Sequence, residues 1–168
     1  MHHSTFIEGL AQIYRPKIYL ELGVLNGETF EKVLPFCQRA IGVDAINRKI
    51  NLEENWRIEY HVMTTTEFFK NFKDNVDMVF IDADHSYESV KQDFLNCVKI
   101  LNKGGLVILH DTDPEHDGLF DKGYCGTSYK FARELEDSKD YNIITMPATE
   151  AGLSLVMRKK ETRTDLRK

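Results

Sequence analysis

Two apolar runs in this chain stop in the same abrupt way. Val79-Phe80-Ile81 runs into Asp82-Ala83-Asp84-His85, and Leu106-Val107-Ile108-Leu109 runs into His110-Asp111-Thr112-Asp113. Carboxylates crowded together repel one another and are costly unless a cation or hydrogen-bond donors compensate them. If the two runs end side by side, Asp82, Asp84, His85, His110 and Asp111 converge. Carboxylate oxygens with imidazole nitrogens form a set that can hold a divalent cation. A histidine, with an unperturbed pKa of about 6.5, can also take a proton from a hydroxyl near neutral pH. The plainer alternative is that the acids accept from ligand hydroxyls and nearby backbone N–H groups, and both readings stay open at this point.

A second group of candidates lies earlier, in "YLELGVLNGETF", which places Glu21, Gly23 and Gly27 between an apolar run and a helical pattern. Glycine permits a tight turn and close approach of a ligand to the backbone, and a helix start offers unpaired N–H groups. The spacing E-x-G-x-x-x-G differs from the G-x-G-x-x-G of dinucleotide sites, and Glu21 would repel a pyrophosphate placed over this turn. A ligand carrying positive charge fits better. Asp44 follows Gly23 by 21 residues, a distance at which a carboxylate can accept both hydroxyls of a ribose. A nucleoside with a cationic appendage describes S-adenosylmethionine. Two glycines alone would be ordinary turn chemistry; Asp44 and the strand order weigh toward a cofactor site.

The elements that must hold these residues alternate between strand and helix periods. Strands are expected at Ile18–Leu22, Ala40–Val43, Arg57–Val62, Asp77–Ile81, Leu106–Leu109, Tyr141–Met146 and Leu153–Met157. Helical patterns cover Thr5–Tyr14, Glu28–Gln38, a short turn at Arg48–Asn55, Thr65–Phe72, Tyr87–Leu101 and Ser128–Asp137. Capping boxes are expected at Thr5/Glu8 and Thr64/Glu67, and Gly104-Gly105 is expected to stop the fourth long helix. Within that helix Val90, Phe94, Cys97, Val98 and Leu101 share one face and read as core. Short apolar strands alternating with helices imply an α/β, Rossmann-like, doubly wound sheet of seven strands, mostly parallel, with helices on both faces. Pro147–Gly152 is too short for a crossover helix, so the last strand should run antiparallel in a hairpin at one edge.

With 168 residues, one domain over 1–160 is expected, followed by a charged tail at 161–168. A net charge of −5 supplies no field favouring nucleic acid or a membrane surface, so a small neutral or cationic ligand is the expected partner. Cys37, Cys97 and Cys125 are odd in number and far apart, which suits reduced packing residues in a cytoplasmic protein. No apolar run approaches the roughly 18 residues of a membrane span, and no signal-peptide pattern opens the chain. The short pair His2-His3 carries no weight as a tag or a site.

Taken in order, the glycine motif, Asp44, "FIDADHSYESVKQD", "LNKGGLVILHD" and the terminal "GLSLVMRK" make nearly the whole chain resemble class I S-adenosylmethionine-dependent methyltransferases. The resemblance is nearest to O-methyltransferases of the macrocin and mycinamicin type, with a fainter likeness to catechol and caffeoyl-CoA enzymes. It implies that Glu21 holds the methionine ammonium, that Gly23 and Gly27 lie against the cofactor, and that Asp44, followed by Ala45, binds the ribose. Met63, Thr64 and Thr65 would lie near the adenine, and Asp82 would border the cofactor. The metal set implied is Asp82, His110 and Asp111, holding magnesium or another divalent ion, with His85 as general base and Asp111 also catalytic. His110 stands where those relatives carry an acid, and imidazole suits manganese, iron or zinc better than magnesium.

The long loop Thr112–Gly126, with Phe120 and Tyr124, lies where a substrate would be covered. The expected reaction is methylation of a small-molecule hydroxyl, and a homo-oligomer is an open possibility for so lean a chain. Asp82-x-Asp84 also suits the metal motif of nucleotide-sugar glycosyltransferases, although that reading leaves Glu21-x-Gly23 and the terminal hairpin unexplained. A non-enzymatic S-adenosylmethionine-binding protein is the third reading.

Overall fold

Residues that alternate between two apolar faces must be covered on both sides, and the sheet built from them shows how. A computed structural model describes residues 2–47, 56–121, 123–147 and 151–159. Its strands are β1 (Ile18–Leu22), β2 (Arg39–Asp44), β3 (Ile58–Val62), β4 (Val76–Ile81), β5 (Leu101–His110), β6 (Tyr141–Met146) and β7 (Leu153–Arg158). They form one sheet in the order β3-β2-β1-β4-β5-β7-β6. Neighbours from β3 to β5 pair in parallel, while β7 pairs antiparallel with both β5 and β6. The mostly parallel sheet with one reversed strand in a terminal hairpin is therefore present.

The helices are α1 (His3–Tyr14), α2 (Glu28–Val33), α3 (Thr65–Asn71), α4 (Tyr87–Ile100) and α5 (Ser128–Glu136). Strand parity divides them. Leu20, Leu22, Val79, Ile81, Val107 and Leu109 pack with Phe68 of α3, Val90 and Phe94 of α4, and Phe131 and Leu135 of α5. The alternate residues Tyr19, Met78, Phe80, Leu106 and Ile108 pack with Ile7 and Ala11 of α1 and Phe30 and Val33 of α2. Burying a side chain of this size is worth about 1.5–3 kcal/mol, so both layers stabilise the sheet substantially.

Several boundaries depart from expectation for identifiable reasons. The Thr5/Glu8 capping box does not start α1; the helix begins at His3, with the His2 side chain accepting from Ser4 N at 3.4 Å. Thr5 N instead donates to the His2 carbonyl within the first turn. The second helix stops at Val33 rather than Gln38, giving way to a 3₁₀ turn at Leu34–Phe36, because Pro35 has no N–H to continue the ladder. Gly104-Gly105 does not end α4. The chain turns extended at Leu101, and Gly104, with φ +81°, lies inside an early stretch of β5 where the pairing with β4 shifts register. The Thr64/Glu67 box forms as expected, with Thr64 Oγ1 accepting from Glu67 N at 3.2 Å and Glu67 Oε2 accepting from Thr64 N at 3.0 Å. The expected turn at 48–55 and the tail at 161–168 lie outside the described residues. Among the described residues no helix is long and apolar enough to cross a membrane.

Candidate active site

β1 has β2 on one side and β4 on the other, so the direction of strand succession reverses there and opens a crevice at the carboxyl ends of the strands. Asp82 N donates to Leu22 O at 2.8 Å and Gly23 N to Val43 O at 2.8 Å, which fixes the three strand ends side by side. Gly23 has φ +85°, and a Cβ there would overlap the backbone of Asp82 and Ala83, so glycine is required by both conformation and space. A cleft of about 930 Å³ opens over this point.

One half of the cleft is built from the expected cofactor residues: Gly23, Asp44, Ala45, Thr64 and Thr65 all line it. Asp44 organises this half. Its Oδ2 accepts from Val24 N at 3.1 Å and Leu25 N at 2.8 Å, and its Oδ1 accepts from Ile46 N at 2.8 Å. A carboxylate has about four lone-pair positions and three are taken, so capacity for one ribose hydroxyl remains. Glu21 and Gly27 occupy different places. Glu21 shares the α1/α2 face with Tyr19, is 1% exposed and accepts from the Tyr19 hydroxyl at 2.6 Å. Burial pushes its carboxyl well above the usual range, and the nearby charges of Asp82 and Asp44 push in the same direction. Gly27, φ +85°, starts α2. Met63 packs against the core.

The other half holds the acidic strand ends, where Asp82, His85, His110 and Asp111 meet. His110 Nδ1 lies 3.1 Å from Asp82 Oδ1 and 3.2 Å from Asp111 Oδ1. His85 Nδ1 lies 3.3 Å from Asp111 Oδ2, and its Nε2 is 3.6 Å from Asp82 Oδ1, an ion-pair distance rather than a hydrogen bond. Burial alone would raise Asp82, but the facing His110 and His85 imidazoles hold it well below the usual carboxylate range. Burial opposes charge on His110, yet Asp82 and Asp111 outweigh it and push the imidazole up to about 10. His85 is raised by Asp82 foremost, against its own burial, with Asp111 adding to the effect.

Parity places these groups. Positions 78, 80 and 82 continue one face of β4 and positions 106, 108 and 110 the matching face of β5. Asp111 would point the opposite way on an ideal strand, but its backbone is left-handed, φ +58°, and the turn keeps its carboxylate beside both histidines. A non-glycine residue in that conformation stores strain of the order of 1 kcal/mol, a common feature of functional sites.

The atoms that can bind a metal on Asp82, His85 and Asp111 all lie within 4.8 Å of one another. His110, named with the acids in the sequence reading, instead faces both carboxylates through Nδ1, and its Nε2 is buried without a hydrogen-bond partner among the described residues. Asp84 points to turn chemistry: its Oδ1 accepts from Ser86 N at 2.8 Å at the start of α4. That role weakens the Asp82-x-Asp84 metal-pair reading.

His3 is the residue that sequence reasoning missed. It lines the cleft, and its ring centroid lies 4.3 Å from that of His110. Ser4 Oγ donates to Glu28 Oε1 at 2.8 Å and Lys32 Nζ donates to Ser4 Oγ at 2.7 Å, tying the start of α1 to α2. A signal existed: positions 3, 7 and 11 form one helical stripe, and Ile7 and Ala11 are core.

Residues 20–112 match a family described as a methyltransferase domain, which is more than half of the chain. The chain belongs to the methyltransferase-domain family. This methyltransferase-domain protein is 24% identical over 130 residues to an uncharacterized protein of Acanthamoeba polyphaga mimivirus, covering 65% of this chain and 58% of that protein. It is 24% identical over 146 residues to an uncharacterized protein of Sinorhizobium fredii, covering 71% of this chain and 16% of that one. It therefore spans little more than half of one curated relative and a small part of the other.

Among solved structures it is similar to the O-methyltransferase from Bacillus cereus in complex with SAH, at TM-score 0.74 and 16% identity over 94% of this chain and 80% of that one. It is also similar to the O-methyltransferase TomG from Streptomyces achromogenes in complex with SAM, at TM-score 0.68 and 17% identity over 94% and 80%. The SAH-bound methyltransferase PaMTH1 from Podospora anserina matches at TM-score 0.73 and 14% identity over 94% and 78%. At such identities the likeness is one of fold.

Proposed function

We propose that this protein transfers a methyl group from S-adenosylmethionine to the hydroxyl of a small molecule. The observation that carries the reading is the continuity of the cleft: the Gly23, Asp44 and Thr64 half opens directly onto Asp82, His85 and Asp111. A nucleoside held in the first half would deliver a group attached beyond its ribose to the second. The cleft volume lies in the range of small-molecule sites, about 300–1,000 Å³.

Charge favours the same ligand. Asp44 and Asp82 line the cleft as carboxylates, and such groups favour a ligand that carries positive charge. In the reaction the acceptor oxygen forms a bond to the methyl carbon, the carbon–sulfur bond breaks, and its electron pair stays on sulfur in S-adenosylhomocysteine. The hydroxyl proton would pass to His85. Alignment at near-attack distance supplies most of the acceleration in such a displacement. Asp44 would accept from one ribose hydroxyl while holding the Val24–Leu25 turn in place.

Asp82, Asp111 and the His85 imidazole fit a divalent cation, since their donor atoms converge within 4.8 Å, and His85 would then serve as its ligand in place of the proton acceptor. When bound, such an ion would lower the pKa of an acceptor hydroxyl. One imidazole with two carboxylates favours manganese, iron or zinc over magnesium.

Calorimetry tests the reading. Tight binding of S-adenosylhomocysteine, abolished in Asp44→Ala, and no binding of UDP-sugars are expected. Mass spectrometry should then find candidate hydroxyl compounds heavier by one methyl group. Binding of UDP-sugars without S-adenosylhomocysteine would overturn the proposal, and cofactor binding without transfer to any hydroxyl would leave a binding protein.

A further inference from the structure

α4 buries five residues, and four of them, Val90, Phe94, Cys97 and Val98, are apolar. The fifth is Asp93, 3% exposed, and a buried carboxyl needs an explanation that a buried valine does not. Its hydrogen-bond partner is the Thr65 hydroxyl, which donates to the carboxylate. Thr65 is the first residue of α3 and lines the cofactor half of the cleft. Ser89, one helical turn before Asp93 on α4, lines the same cleft. Asp93 is therefore buried behind the cleft wall and reaches the ligand space through Thr65.

The other groups of this turn are already committed. Thr64 Oγ1 donates to Glu67 Oε2 at 2.7 Å and accepts from Glu67 N at 3.2 Å, and Met63 N donates to the Asp44 carbonyl oxygen at 3.0 Å. Those bonds fix the backbone between β3 and α3, next to the residue that would hold the ribose. The Thr65 side chain is left for Asp93 to set. Threonine carries a hydroxyl and a methyl group on the same Cβ, so holding the hydroxyl fixes χ1 and with it the surface that Thr65 shows to a ligand. A side chain ordered beforehand does not have to be immobilised on binding.

We propose that Asp93 is a positioning residue for the cofactor half of the cleft, acting through the Thr65 hydroxyl to hold Thr65 in the rotamer that receives the nucleoside. The ligand named in this inference rests on the function proposed above. Asp93 touches neither cofactor nor acceptor; its effect is on how well ordered the wall is before the ligand arrives.

Calorimetry of the full chain with S-adenosylhomocysteine is the test, with thermal unfolding to establish that each variant is folded. Asp93→Ala removes the acceptor, and Asp93→Leu removes it while filling the space. Each should weaken binding roughly fivefold, the cost of immobilising one side chain in the complex. Asp93→Asn keeps an acceptor oxygen for the Thr65 hydroxyl and should stay within about twofold of wild type. Thr65→Val keeps the shape of the residue without its hydroxyl, so adding Asp93→Ala to it should cause no further loss. A general loosening of the fold would instead weaken binding in both backgrounds alike. Unchanged affinity in Asp93→Ala and Asp93→Leu, an equal loss in Asp93→Asn, or the same loss in the Thr65→Val background would overturn the positioning role and leave the methyltransferase reading standing. A wild type that binds no S-adenosylhomocysteine would overturn that reading, and the positioning role with it.

Discussion

Replacing Asp93 by Asn should stabilise this protein at neutral pH and leave it nearly unchanged at about pH 4. Asp93 sits on the buried face of α4 and is 3% exposed. Burial raises its carboxyl from the ordinary 3.8 to about 6; the Thr65 hydroxyl holds it back in part, and the charge of Asp84 adds to the rise. Between those values the folded state keeps a proton that the unfolded state has released. The folded chain binds more protons there, so stability falls as pH rises through that window. A rise of about two pH units at about 1.4 kcal/mol each sets an upper bound of about 3 kcal/mol on the loss by pH 7. Asparagine is never ionised and can still accept from the Thr65 hydroxyl, so Asp93→Asn should recover about 1–3 kcal/mol at pH 7. With about 2–4 °C per kcal/mol for a domain of this size, Tm should rise by several degrees. Urea titrations at intervals from about pH 4 to pH 7 measure the difference directly. A difference between variant and wild type that stays constant across that range would refute the reasoning, whatever its sign.

Thr64→Ala removes the capping box of α3 and should cost about 1 kcal/mol, read as a lower urea midpoint with an unchanged slope. Asp111→Gly and Asp111→Ala should both abolish transfer, but the glycine variant should be the more stable by about 1 kcal/mol in thermal unfolding, since φ +58° suits glycine and strains alanine. Manganese titrated into metal-free protein should raise Tm, by up to about 2.7 kcal/mol of stabilisation at a hundredfold excess over Kd. Asp82→Asn should remove that response, and a wild type that shows none would reject the cation site.

Much of this protein follows from local pattern. All seven strands fall within a few residues of their apolar runs, and the Thr64/Glu67 box starts α3 where its spacing says it should, because a cap and an apolar stripe act over one turn of chain. The convergence of "FIDADH" and "ILHD" also follows, since β4 and β5 pair in parallel and must end together. Local errors had local causes: Pro35 cut α2 short, and Leu101 turned extended before the glycines that seemed to end α4.

The arrangement within the site depended on contacts distant in sequence. His3 reaches the cleft because α1 docks on α2 and beside β5, more than a hundred residues from His110. His85 is held by a segment some forty residues later, through the Tyr124 carbonyl and the Ser128 hydroxyl, a contact that no local pattern predicts. Asp111 stays beside both histidines only because its backbone turns left-handed against strand parity. Residue type and period determine which side chains lie near a strand end. The distances and proton positions among them are set by how separate elements pack, because a few tenths of an ångström separate a hydrogen bond from an ion pair and no local pattern carries that precision.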